Sequence, residues 1–160
     1  MTVSSIAFSV LSKDFIEAKL EERDNRHLKQ GERYMVEPNV KEGKGGLRDL
    51  HSLFWIAKFI HDVDRVADLV DLGVFRADEY DTFREAEAFL WAVRGHLHLI
   101  AGRATEQLTF DMQVQVAQAM GYQDIGGRRG VEIFMQAYFR HATAVGDLTR
   151  IFVSGLEASH

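Results

Sequence analysis

The sequence predicts an all-α protein, an antiparallel helical bundle with one short extended or hairpin segment near residues 34–48. Three observations carry this reading. A single proline, Pro38, stands in 160 residues, and proline is the residue that most strongly interrupts helices. Apolar side chains recur at spacings of three and four along several long stretches, the period that keeps one helix face in a core. The breaks between those stretches are short and marked by glycine, so consecutive helices fold back on one another.

Composition narrows the class. Apolar residues make up 46% and charged residues 27% of the chain, a globular balance with enough length for one hydrophobic core. The net charge of -5 weighs against nucleic-acid binding, which favours a basic face. No cysteine is present, which removes disulfides and thiolate metal ligands and fits a reducing, cytoplasmic compartment. No apolar run approaches the ~20 residues that span a bilayer, so no membrane segment is expected. The N-terminal MTVSSIAFSVLSKDF lacks the basic start of a signal peptide.

Taken in order, Ile6, Phe8 and Val10 alternate with Ala7 and Ser9, the pattern of a short strand. Ser12 is placed to cap a helix over 13–30, with Asp14 in its first turn and Gly31 as its stop. The middle of that helix is charged (Glu21, Glu22, Arg23, Asp24, Arg26), and Glu22–Arg26 at i,i+4 suits a solvated face. Tyr34, Met35 and Val36 have strand propensity, and Glu37 before Pro38 is driven to extended geometry. Asp49 is a candidate cap for a helix running to about His61, with Leu50, Leu53, Phe54, Ile56, Ala57 and Ile60 as its stripe. Trp55 and Phe59 widen that stripe, which predicts burial on most sides. Asp64 is placed to cap a short helix ending at Gly73.

The longest helix runs from about Ala77 to Gly102, through Tyr80, Phe83, Ala86, Leu90, Val93, Leu97 and Ile100. Its length of about 37 Å makes it the central staff of the bundle. Thr109 or Asp111 opens the next helix, which Gly121 closes. A glycine loop over 126–130, with Arg128 and Arg129 at a solvated tip, leads to a last helix over 131–153. That helix carries Phe134, Met135, Tyr138, Ala142, Val145, Leu148 and Phe152 on one face.

The densest chemistry lies in YMVEPNVKEGKGGLRDL, residues 34–50. Glycines let backbone N–H groups approach an anion, and Lys41, Lys44 and Arg48 stand beside them as candidate phosphate ligands. The segment lacks the G-K-[ST] ending of a P-loop and the G-x-G-x-x-G spacing of a dinucleotide site, so turn glycines are the plainer reading. Asp49 is a candidate carboxylate for Mg²⁺, with helix capping as the plainer alternative; no complete metal site is visible. His96 and His98 are about 200° apart on their helix and cannot share a metal. His61-Asp62 matches metal phosphohydrolases only as a dipeptide. His141 has a pKa open to tuning near neutrality but no assigned task. Phe54, Trp55, Phe59 and Trp91 are expected in the core, with a domain interface as the alternative.

The run EPNVKEGKGGLRDLHSLFWIAK (37–58) resembles the signature that follows the nucleotidyltransferase core of bacterial protein-PII uridylyltransferase/uridylyl-removing enzymes. FIEAKLEERDNRH (15–27) is similar to the linking helix of that family. FLWAVRGHLHLIAGRATEQLTFDMQ (89–113) and VEIFMQAYFRHATAVGDLTRIF (131–152) resemble its helical region. The related adenylyltransferase of glutamine synthetase has a similar Gly-Gly segment, but the Glu-Pro-Asn start and Arg-Asp-Leu ending fit the uridylyltransferase better.

The resemblance implies a nitrogen-status sensor that uses UTP and Mg²⁺ to place UMP on the PII signal protein and removes it when glutamine is plentiful. It also implies that this chain is one part of such an enzyme. No Gly-Ser followed by Asp-x-Asp on a strand pair is found, no phosphohydrolase histidine set, and no room for glutamine-sensing ACT domains. Residues 1–48 then read as the remnant of the transferase core with its linking helix, and 49–157 as a helical domain of the nucleotidyltransferase substrate-binding type. Asp49 becomes a candidate third carboxylate of the transfer site. Alone, the chain is expected to be inactive. The alternative is a helical interaction or dimerisation module without nucleotide contact.

Overall fold

The computed structural model describes the backbone of residues 3–30 and 36–159, and the side chains of 14–28 and 36–155. Its described elements are α1 (Val3–Gln30), α2 (Leu47–His61), α3 (Val66–Asp71), α4 (Ala77–Ala101), α5 (Phe110–Ala119) and α6 (Gly130–Ser159). The fold is an all-α bundle, as the periodicity predicts. Helices α4, α5 and α6 pack on one another, α2 lies against α4 and α6, and α1 lies against α2.

The core is built from the stripes. Leu50, Leu53, Ile56 and Ala57 of α2 meet Phe83, Ala86, Leu90, Val93 and Leu97 of α4. Phe134, Tyr138, Val145, Leu148 and Phe152 of α6 close the other side. Ile16 of α1 and Val40 of the segment before α2 belong to the same buried cluster. Each fully buried large apolar side chain contributes roughly 1.5–3 kcal/mol relative to exposure, which is why the 3-and-4 pattern decides the helix faces.

Several boundaries differ from the sequence expectation. Residues 6–10 are helical, within α1, and the helix does not start at Ser12. The alternation there is only five residues long and offers no second strand to pair with; a helix satisfies its own backbone. Gly31, Tyr34 and Met35 lie outside the described residues. Asp49 is not the cap of α2. Gly46 is, without a side-chain bond, and Asp49 sits in the first turn. Asp64 does not cap α3: Arg65 takes that place, its N–H donating to Asp68 Oδ2 at 3.2 Å. Helix α6 continues past 153 to Ser159.

The segment 36–46, here called the arm, is a chain of turns rather than a hairpin. Its extended piece pairs elsewhere: Val40 N–H donates to Glu106 O (2.8 Å) and Leu108 N–H to Pro38 O (2.9 Å). Gln113 donates to Val36 O (2.8 Å) and to Leu108 O (3.1 Å), which clamps the arm against α5. The loop 125–128 is likewise tighter than a flexible connection. Ile125 and Arg128 exchange two backbone bonds of 3.0 Å across Gly126 and Gly127, whose φ values of 59° and 80° suit a two-residue hairpin turn.

Thr109 caps α5, its side chain accepting from Met112 N–H at 3.4 Å. Thr109→Ala is therefore expected to lower stability by about 1 kcal/mol, read as a shift in the urea midpoint.

The aromatics of α2 and α4 do not all enter the core. Trp55 is 55% exposed and Trp91 45%, and Phe59 is also on the surface. Lys58 lies 5.3 Å from the Trp55 ring and Arg94 5.3 Å from the Trp91 ring. These cations partly cover rings that the helix stripe has no room to bury. His98 lies 3.4 Å from Glu106, the carboxylate that Arg94 grips through two nitrogens. His141 stacks on Phe89 at 4.4 Å, and burial pushes its pKa below the usual value.

Candidate functional site

Asp49 is the centre of the arm region and is 1% exposed. The helical turn Leu47–Leu50 aims its carboxylate back at the arm, where Oδ2 accepts from Gly45 N–H at 2.8 Å. Helix α1 supplies the rest. Arg26 donates to Oδ1, and His27 Nε2 lies 3.0 Å from Oδ2 and 3.2 Å from Oδ1. Arg23 Nε stands 3.7 Å from Oδ1. A carboxylate can only accept here, so Nε2 of His27 carries the hydrogen. Burial pushes the Asp49 pKa up, but the His27 bond and charge, the Gly45 N–H and Arg26 outweigh it and hold the group below the ordinary 3.8.

The arm is tied to α1 a second time. Arg26 Nε donates to Glu42 O at 3.1 Å and lies 3.6 Å from the Glu42 carboxylate. Arg48 binds that same carboxylate at 2.8 Å. Asn39 Oδ1 accepts from the N–H groups of Lys41 (3.1 Å) and Glu42 (2.7 Å), which sets the first turn. Above these contacts runs an open groove of about 660 Å³, lined by Ala18, Glu21, Glu22, Asn25, Arg26, Glu42 and Arg48.

The three basic candidates of the arm are thus placed differently. Arg48 is committed to Glu42 at the groove edge. Lys44 is exposed and Lys41 half-buried; among the described residues neither is held in an ion pair. The glycine loop does not form a backbone cradle. Gly43 N–H donates to Asn39 O, Gly46 N–H to Gly43 O and Gly45 N–H to Asp49, so these donors are already used.

Asp49 also fits a metal poorly. Its two oxygens accept from three donors, Gly45 N–H, Arg26 and His27, and the guanidinium groups of Arg26 and, 3.7 Å away, Arg23 would repel a divalent ion. The Glu42 carboxylate, which shares Arg26 with Asp49, is taken by Arg26 and Arg48. Among the described residues no group of three or more His, Cys, Asp or Glu could hold a metal. Sequence reasoning missed Arg23, Arg26 and His27, having assigned the charged middle of α1 to solvent. Their spacing at i, i+3 and i+4 places them on one face, a cationic stripe that was the available signal.

Fold and site together describe a helical bundle domain carrying a charged, glycine-rich arm at one corner, fastened through a buried carboxylate. The chain belongs to the GlnD PII-uridylyltransferase family, which matches residues 14–153. It is 73% identical over 148 residues to a bifunctional uridylyltransferase/uridylyl-removing enzyme of Ruegeria pomeroyi, covering 92% of this chain and 16% of that protein. A protein of the same description from Cereibacter sphaeroides is 63% identical over 148 residues, with the same shares. One from Rhodospirillum rubrum is 58% identical over 145 residues, 90% of this chain and 16% of that protein. The chain therefore spans about 16% of the length of these curated relatives. No solved structure matches the chain. Among the described residues no helix is long and apolar enough to cross a membrane.

Proposed function

We propose that this chain is the helical, substrate-binding or scaffolding part of a cytoplasmic protein-PII uridylyltransferase/uridylyl-removing enzyme. The whole enzyme transfers UMP from UTP to PII with release of pyrophosphate, and removes UMP by hydrolysis in response to glutamine. Nitrogen metabolism is regulated through that modification. The observation that carries the reading is the family match, which runs from α1 through the arm and every later helix to Val153. The magnesium expected of the whole enzyme is assigned to its transferase core. Residues 1–48 are proposed to join that core to the bundle of 49–157.

Within this reading Lys41, Lys44 and Arg48 face the phosphates of UTP, with Lys44 the most accessible. Supporting this, Lys41 and Lys44 lie on the arm, whose backbone is fixed at both ends by the bundle, and Arg48 follows in the first turn of α2. In a longer family member containing this segment, a Lys41→Gln/Lys44→Gln double substitution should raise the KM for UTP roughly tenfold, about 1.4 kcal/mol or close to the worth of one charged hydrogen bond. UMP removal should be unchanged. An unaltered KM would exclude the arm from nucleotide binding. The 160-residue chain given UTP, Mg²⁺ and PII should transfer no UMP, and robust uridylylation would overturn its assignment as a non-catalytic part.

A second reading, an interaction or dimerisation module without nucleotide contact, draws on exposed Trp55 and Trp91. Light scattering separates the two. A mass that rises with concentration and ignores UTP favours the second.

A further inference from the structure

We propose that Asp49 is a positioning residue rather than a metal ligand: its carboxylate sets the angle of α1 against the arm and α2. Helix α1 runs antiparallel to α2, since Arg26 and His27 meet Asp49 near the start of α2 while Phe15 stacks on Phe59 near its end, at 4.3 Å. The helix is thus held at two separated points. The apolar point, where Phe15 meets Phe59 and Ile16 enters the buried cluster, has no directional bond. The polar point has direction: Arg26 bonds both Asp49 and Glu42 O, and His27 reaches both Asp49 oxygens.

A carboxylate that accepts from one helix and from Gly45 of the arm at once leaves little rotational freedom to the parts it joins. A divalent ion at the same oxygens would have to expel Arg26 and His27, and so release α1. Metal binding and helix positioning exclude one another in this geometry. The inference bears on transfer only through the reading of α1 as a linking helix, whereas its test uses neither UTP nor PII and fails or succeeds apart from that reading.

The absence of cysteine allows clean spin labelling at Asp14→Cys on α1 and Ala88→Cys on α4, both exposed positions. Pulsed EPR on the full chain should give one narrow distance. Asp49→Asn and Arg26→Met should each replace it with a broad distribution, while Leu28→Gln, exposed on the same helix, should leave it narrow. Where Asp49→Asn fails to fold by circular dichroism, Arg23→Gln, which keeps the shorter bonds, should show partial broadening. Mn²⁺ is the metal probe, and its free EPR signal should be insensitive to Asp49. A distance left narrow by Arg26→Met, or Mn²⁺ bound by the unsubstituted chain and lost in Asp49→Asn, would overturn the proposal.

Discussion

Gly45→Ala should lower folding stability by about 3–5 kcal/mol, the range of severe steric and backbone effects. Gly45 has φ of +71°, and a Cβ there would lie 2.2 Å from Ala142 O and 2.6 Å from Ala142 Cα. Both obstacles are α6 backbone, which cannot rotate aside as a side chain would. The arm therefore rests directly on α6, and the same glycine supplies the N–H that binds Asp49. Gly73 is the natural control. Its φ is +74° with nothing within 4 Å of the added carbon, so Gly73→Ala should cost only about 1–2 kcal/mol of backbone strain. Urea unfolding followed by circular dichroism measures both. Equal losses at the two positions would mean that the arm does not sit on α6 as described.

Asp49→Ala should be comparably damaging, at about 3–5 kcal/mol, because it leaves Arg26 buried beside a missing partner. The effect has a pH signature. The folded pKa of Asp49 is depressed below 3.8, so its contribution is complete above the unfolded value and fades as pH falls through the folded one. The stability gap between the unsubstituted chain and Asp49→Asn should accordingly be widest at pH 5–7 and narrow below about pH 4. Denaturant titrations across that range read the gap directly. A gap that stays constant with pH would show that the lost contribution is packing rather than charge.

Both predictions rest on contacts that local sequence patterns do not report. The helices themselves were legible. The stripe Phe83, Ala86, Leu90, Val93 and Leu97 is buried as its spacing requires, and Gly102 ends α4 in the left-handed region with φ of 68°. These are properties of one turn and its neighbours, set by steric limits and hydrophobic period. Asp49 was legible as a candidate, since a carboxylate opening a helix after a basic, glycine-rich segment can cap the helix or ligate a metal. Its partners were not, because Arg26 and His27 stand more than twenty residues away and on a helix whose charges read as solvated.

Family, all-helical class and the inward face of the main helices all follow from residue pattern. The packing of distant segments is what makes the extended piece of the arm pair with residues 106–108 instead of in a hairpin, leaves Trp55 and Trp91 outside, and encloses Asp49 with cations. The physical reason is common to all three. Periodicity says which face of an element is apolar, but the neighbour that covers it, or fails to, comes from another part of the chain. The spacing of Arg23, Arg26 and His27 marks a cationic face but not what that face meets, so the enclosure of Asp49 appears only when α1 is laid across the arm.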